Sequence, residues 1–252
     1  MVNAGTGGAL VGRRIVVTRP AHEARALADR LASLGAIPIV FPTIRIEPAD
    51  PAPLVDAARH LDRFDWVVFT SAHGVEALFA ALGPAGKDAR DVSLRKLAAV
   101  GPVTARALRE RGVEPGLVPP TYVAEAVLAA MAATGDLRGV RVLFPRADVA
   151  REVLADGLRE LGAAVTEVVA YRTVGAAGPP PDLAGADAVT FTSSSTVRHF
   201  VASGASADGA KVVCIGPVTA QTARELGLAV AAVAAEHTED GLIRALQGAL
   251  SA

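Results

Sequence analysis

The sequence has a single cysteine, Cys214, which excludes an internal disulfide and a cysteine-rich zinc site. Cys214 lies inside an apolar run and reads as a small buried hydrophobe. Net charge is nearly absent: 25 basic against 26 acidic residues leave −1, so no global field draws in nucleic acid or an anionic membrane. Lysine is scarce, with only Lys87, Lys96 and Lys211 among the basic residues. No apolar run approaches the ~20 residues of a membrane-crossing helix. The glycine-rich start, Met1 to Gly12, lacks the basic opening and apolar centre of a signal peptide. This predicts a cytoplasmic protein with a disordered tail over 1–12. His22, His60, His73, His199 and His237 show no metal-ligand spacing, so no metal is expected. Gly86-Lys87 lacks the Ser or Thr of a phosphate loop. Gly5-Thr6-Gly7-Gly8 precedes the first strand, so it is no dinucleotide fingerprint.

What is present is alternation. The 252 residues, 51% hydrophobic and 20% charged, can bury a core unaided and suit one large or two small domains. Apolar runs at Ile15–Thr18, Trp66–Thr70, Leu97–Val100, Val140–Phe144, Ala188–Thr192 and Val212–Ile215 are each followed by a turn signal and a helical pattern. That is the signature of an α/β fold with parallel sheets. Pro20, Pro102 and Pro217 sit at or near first helical turns, where a missing N–H costs nothing. Gly83–Ser93 and Asp182–Asp187 read as solvated loops.

The pattern also repeats. Phe69-Thr70-Ser71 returns as Phe191-Thr192-Ser193. Gly101-Pro102-Val103-Thr104-Ala105 returns as Gly216-Pro217-Val218-Thr219-Ala220, with 8 identities in the 13-residue windows that start there. Arg14, Arg19 and Leu34-Gly35-Ala36 return as Arg141, Arg146 and Leu161-Gly162-Ala163. This is a tandem duplication of a domain-sized unit, far longer than a solenoid repeat. The extended runs Ile37–Pro48 and Val165–Val174 exceed the ~5–6 residues of an ordinary strand, so both are expected to bridge two bodies. The predicted domains are 13–40 with 174–252, and 47–168, joined by linker strands over 41–46 and 169–173.

In order, Val17-Thr18-Arg19-Pro20, Phe69-Thr70-Ser71, Gly101-Pro102-Val103-Thr104-Ala105, Phe144-Pro145-Arg146, Ala170-Tyr171-Arg172-Thr173, Phe191-Thr192-Ser193-Ser194 and Gly216-Pro217-Val218-Thr219-Ala220 resemble uroporphyrinogen-III synthase. The resemblance runs from about Arg14 to Leu246. It implies two flavodoxin-like α/β domains joined by a two-stranded linker, with the active site in the cleft. It also implies a cofactor-free lyase in haem biosynthesis. Hydroxymethylbilane loses its hydroxyl and cyclises, the terminal ring inverts, and uroporphyrinogen III results. That substrate is the one expected partner, of a monomer that binds neither nucleic acid nor membrane. A non-catalytic tetrapyrrole-binding regulator on the same scaffold is the alternative.

A substrate with eight carboxylates must be met locally by a chain of charge −1. Helix N-termini at the carboxyl ends of parallel strands favour anions, and eight are expected, near Pro20, Ser71, Gly101, Val123, Ala147, Ser193, Gly216 and Thr238. Arg19 and Arg146, at equivalent turns, can add fork-shaped donors. Thr70, Ser71, Thr192, Ser193 and Ser194 carry hydroxyls that can cap helices or bind carboxylates, and both roles stay open. Gly101, Gly216, Pro217, Pro20 and Ala147 complete the expected binding set. His73 lies two residues past Ser71, on a surface helix or within reach of the site. Tyr171, one of two tyrosines, keeps its phenol protonated at neutral pH and can donate to the leaving hydroxyl or a carboxylate. The resemblance implies catalytic roles for Tyr171 and Thr219, with Thr104 a structural echo.

Overall fold

Strongly apolar four-residue runs followed by helix-forming segments become strands covered on both faces. The computed structural model describes residues 8–150, 152–176 and 178–251. The chain divides into two units, one made of residues up to Ile46 with Val174 onward, the other of Glu47–Thr173. It opens with β1 (Arg14–Val17), α1 (Ala21–Ser33), β2 (Ile37–Val40) and β3 (Ile44–Pro48). There follow α2 (Ala52–Arg59), β4 (Trp66–Phe69), α3 (Ala72–Ala85), α4 (Ala89–Ser93), β5 (Lys96–Ala99), α5 (Pro102–Glu110), α6 (Ala124–Ala132), β6 (Arg141–Ala147), α7 (Val153–Glu160) and β7 (Ala164–Gly175). The chain ends with β8 (Ala188–Phe191), α8 (Ser194–Ala202), β9 (Lys211–Cys214), α9 (Pro217–Glu225), β10 (Val230–Val233) and α10 (Glu239–Ser251).

The first unit holds a sheet of order β10-β9-β8-β1-β2, all of its pairs parallel. The second holds β3-β7-β6-β4-β5, in which β4 pairs in parallel with β5 and β6, and β6 with β7. Successive strand residues point to opposite faces, so each sheet separates two cores. In the first unit Ile15 and Val17 pack with Leu27, Leu31 and Leu242. Val16 faces the other way, toward Phe191, Phe200 and Cys214. In the second unit Val67 and Phe69 join Leu78 and Leu108, and Trp66 and Val68 join Met131 and Phe144.

The duplication is visible in hydrogen bonds. Asp65 accepts from the Arg141 backbone N–H at 2.9 Å, and Asp187 accepts from that of Arg14 at 2.8 Å. Each pair ties the start of one strand to its neighbour. Gly35 and Gly162 end α1 and α7 in left-handed conformation, at φ +84° and +87°, which explains the repeated Leu-Gly-Ala.

Four expectations need correction. Residues 1–7 of the expected tail lie outside the described residues, but over 8–12 the chain is built into the fold. Leu10 is fully buried beside Ile15, and Gly12 donates to the Gly35 carbonyl at 2.8 Å. The run 37–48 is two strands in different sheets, not one, broken at Phe41-Pro42-Thr43. There the Thr43 hydroxyl lies 3.1 Å from both the Thr18 and Thr196 carbonyls. The segment 83–93 is not a plain loop: α3 continues to Ala85, and Asp88 and Asp91 form a capping box that starts α4. No helix begins near Ala147, because β6 stays paired with β7 through Ala147 opposite Tyr171, and α7 starts at Val153.

Candidate functional site

The carboxyl ends of the strands feed helix N-termini in both units. Pro20, Ser71, Gly101, Val123, Ser193 and Gly216 are the N-caps of α1, α3, α5, α6, α8 and α9. Thr238 Oγ1 accepts from the Gly241 N–H at 3.1 Å at the head of α10. Seven of the eight expected turns therefore stand at the N-terminus of a helix, and Ala147 is the exception.

In the second unit, three expected residues come together. Tyr171, partly buried on β7, donates its hydroxyl to Ser71 Oγ at 2.9 Å. Ser71 Oγ also accepts from the Gly74 N–H at 3.1 Å. Ala147 lies beside Tyr171 across the β6–β7 ladder. His73 packs its ring edge-on against the Tyr171 ring, centroids 5.3 Å apart, and its Nδ1 lies 3.5 Å from Glu76. Thr70 is half-buried in the turn before Ser71. Gly101 is packed under Tyr122, whose Cγ lies 3.0 Å from where a Cβ would stand.

Arg146 does not reach out as a fork. It is buried, and its five N–H groups all find internal acceptors. Glu152 takes Nη1 at 2.9 Å and Nη2 at 2.8 Å, Glu167 takes Nη1, and the Ala147 and Ala150 carbonyls take the rest. The Glu152 hydrogen bond raises the Arg146 pKa further. Burial pushes the Glu167 carboxyl up, but hydrogen bonds from Arg146 and Arg159 win and hold it below its usual value.

In the first unit, Arg19 is paired with Glu239 at the start of α10, and Glu239 also accepts from Arg30 at 3.2 Å. Arg19 Nε is buried without a hydrogen-bond partner among the described residues. Pro20, the N-cap of α1, is buried. Ser193 caps α8 through a reciprocal box with Thr196, the backbone N–H to Oγ distances being 3.2 and 3.3 Å. Ser194 Oγ lies 2.8 Å from Thr222 Oγ1, which ties the first turn of α8 to α9. Thr192 is half-buried before them and Pro217 is exposed on the first turn of α9. Thr219 is buried, and its hydroxyl has no hydrogen-bond partner among the described residues. Its echo Thr104 is likewise buried.

The sequence reading missed His237. Its ring packs on Gly216 as Tyr122 packs on Gly101, with Nε2 3.1 Å from a virtual Cβ. The signal was available: the spacing that maps Gly101 onto Gly216 also maps Tyr122 onto His237. Glu239, Glu152 and Glu167 were missed too, because nothing in their spacing marks them as partners of Arg19 and Arg146. A cavity of about 520 Å³ in the first unit, lined by Phe41, Thr43, Pro180 and His199 among others, includes none of the expected residues.

Among the described residues no helix is long and apolar enough to cross a membrane. A family model described as uroporphyrinogen-III synthase HemD matches residues 25–244. A uroporphyrinogen-III synthase of Synechococcus elongatus is 34% identical, over 94% of this chain and 96% of its own. One from Chlorobaculum parvum is 26% identical, over 86% and 91%. Among solved structures, a mutant uroporphyrinogen III synthase of Thermus thermophilus aligns over 95% of this chain and 99% of its own, with TM-score 0.69 and 22% identity. A uroporphyrinogen-III synthetase of Helicobacter pylori aligns over 93% and 97%, with TM-score 0.60 and 16% identity. At these identities the two structures speak for the fold.

Proposed function

The chain belongs to the uroporphyrinogen-III synthase family, and from that premise we propose that it cyclises hydroxymethylbilane, with loss of water and inversion of the terminal ring, to uroporphyrinogen III. The observation that carries the reading is the family match over residues 25–244, which includes the Ser71, Gly101, Ser193 and Gly216 turns and Tyr171 on β7.

The chemistry the proposal needs is available locally. Each helix N-terminus favours an anion by about 0.3–1 kcal/mol, and by up to ~2 kcal/mol where partly buried. Several such ends can hold a polycarboxylate without lysine. In the second unit the ends at Ser71 and Gly101 serve this role, with Thr70 and Ala147 lining the approach. In the first unit those at Pro20, Ser193 and Gly216 do, with Thr192, Ser194 and Pro217 around them. Arg19 is paired with Glu239, and its Nε N–H, without a partner among the described residues, is the donor it retains there. Arg146 is read as a structural residue that fixes the end of β6 and so sets Ala147 beside Tyr171. Tyr171 and Thr219 are the proposed catalytic hydroxyls, both able to donate a hydrogen bond to oxygen as charge develops on it. Holding a flexible linear tetrapyrrole with its ends together supplies a large part of the rate on its own. A cytoplasmic monomer completes the proposal; the buried thiol of Cys214 suits a reducing compartment.

The test is a coupled assay. Hydroxymethylbilane is generated in place, the products are oxidised, and the uroporphyrin isomers are separated. Dominant isomer III is the expected result. Isomer I alone from the folded protein, the product of unassisted closure, overturns the reading and leaves tetrapyrrole binding without turnover to be measured.

A further inference from the structure

A serine hydroxyl has one hydrogen to give and two lone pairs to fill. Ser71 has both lone pairs filled, one by the Gly74 N–H at 3.1 Å and one by the Tyr171 O–H at 2.9 Å. Its own hydrogen has no acceptor among the described residues. The Gly74 N–H can only donate, and with the Tyr171 O–H donating as well the serine hydrogen is left to point outward. The Tyr171 ring is held for this by the core around Val168 and Ala170 and by the edge-on His73 ring. Hydrogen bonds in series polarise one another, so each bond accepted by Ser71 Oγ makes its remaining O–H a better donor. Ser193, the duplicate of Ser71, shows the contrast: among the described residues its Oγ accepts only from the Thr196 N–H, and no tyrosine backs it.

We propose that Ser71 is the hydroxyl that meets a negatively charged oxygen of the substrate, and that Tyr171 is a positioning residue that acts through it. This rests on the synthase reading and alters it in one respect: the tyrosine's effect reaches the substrate by way of the serine. Ser71 is thereby an obligate donor, fixed before substrate arrives, as a site that stabilises charge requires.

A double-mutant cycle on the full-length enzyme tests this, with kcat and KM measured separately for isomer III. Ser71→Gly removes the hydroxyl while keeping a residue that N-caps acceptably, and it leaves the charge unchanged. It is expected to lower kcat/KM by about 100-fold. Ser71→Thr, which keeps the hydroxyl, recovers most of that loss. Tyr171→Phe costs about tenfold in the wild-type background and nothing further in the Ser71→Gly background. An equal loss from Tyr171→Phe in both backgrounds means that the tyrosine meets the substrate itself, and overturns the relay. Ser71→Gly close to wild type in kcat/KM overturns the serine's role. Isomer I alone from the wild-type enzyme removes the synthase reading, and this inference with it.

Discussion

Cys214 is fully buried at the end of β9, and burial pushes its thiol up to about 12. The thiolate is the reactive form, so the native protein is expected to resist iodoacetamide at mildly alkaline pH, while the urea-unfolded chain is labelled readily. Rapid labelling of the native chain would show that β9 opens. Gly101 makes a second case. Its φ of −170° is open to any residue, so its requirement is one of space. A Cβ there meets the Tyr122 ring at 3.0 Å. Gly101→Ala is expected to cost about 1–3 kcal/mol in urea unfolding. Much of that loss should return when Tyr122→Ala is added, a non-additivity that two independent sites would not show. Legibility at this scale was uneven. Tyr171 and Ser71 were each readable as polar residues at strand ends, but their bond joins residues 100 apart, which no spacing encodes. Arg146 was readable as a cation at a βα turn. Its capture by Glu152 and Glu167 depends on a loop and on the neighbouring strand, and both appear only after folding.

The clearest unit at the scale of elements is the clamp between β4 and β6. Arg141 grips Asp65 with Nη2 at 2.8 Å, Nε at 3.1 Å and its backbone N–H at 2.9 Å. These bonds, the side-chain ones foremost, hold the Asp65 carboxyl at about 2 against an ordinary 3.8. A depressed folded-state pKa stabilises above the unfolded value and fades as pH falls through the folded one. Asp65→Asn is therefore expected to lower the urea midpoint near neutral pH and to converge with wild type near pH 2. A deficit that persists unchanged at pH 2 would assign the effect to packing instead. The pair is half-exposed, so the deficit will be small. The strands β1, β4, β5, β6, β8 and β9 were legible because burial on both faces requires unbroken apolar runs. β10 was not, since Val-Ala-Ala-Val carries too little β-preferring bulk, and parallel pairing with β9 imposes the strand. The break at Phe41-Pro42-Thr43 was hidden because extended residues read alike whether they continue a strand or leave it.

Across the whole molecule, the alternation of apolar run and helix gave the α/β class, and the repeated motifs gave its doubling. The order of strands lay outside local pattern, because β1 is flanked by β8 as well as β2. That order has a kinetic meaning. The hydroxyl of Thr190 on β8 reaches the carbonyl of Val16 on β1, 174 residues away, whereas Arg141 reaches Asp65 across 76. Closing the longer loop costs more entropy, and contacts of large separation form late. In refolding followed by pulsed hydrogen exchange, amides of β4 and β6 are expected to gain protection before those of β1, and the reverse order would refute this. The same numbers bear on synthesis. A ribosome releases β1 and β2 first, then all of the second unit, and only afterwards the strands that cover β1. For most of translation Ile15, Val16 and Val17 have no completed sheet to join, so the amino-terminal segment is the part of the nascent chain with most need of a chaperone.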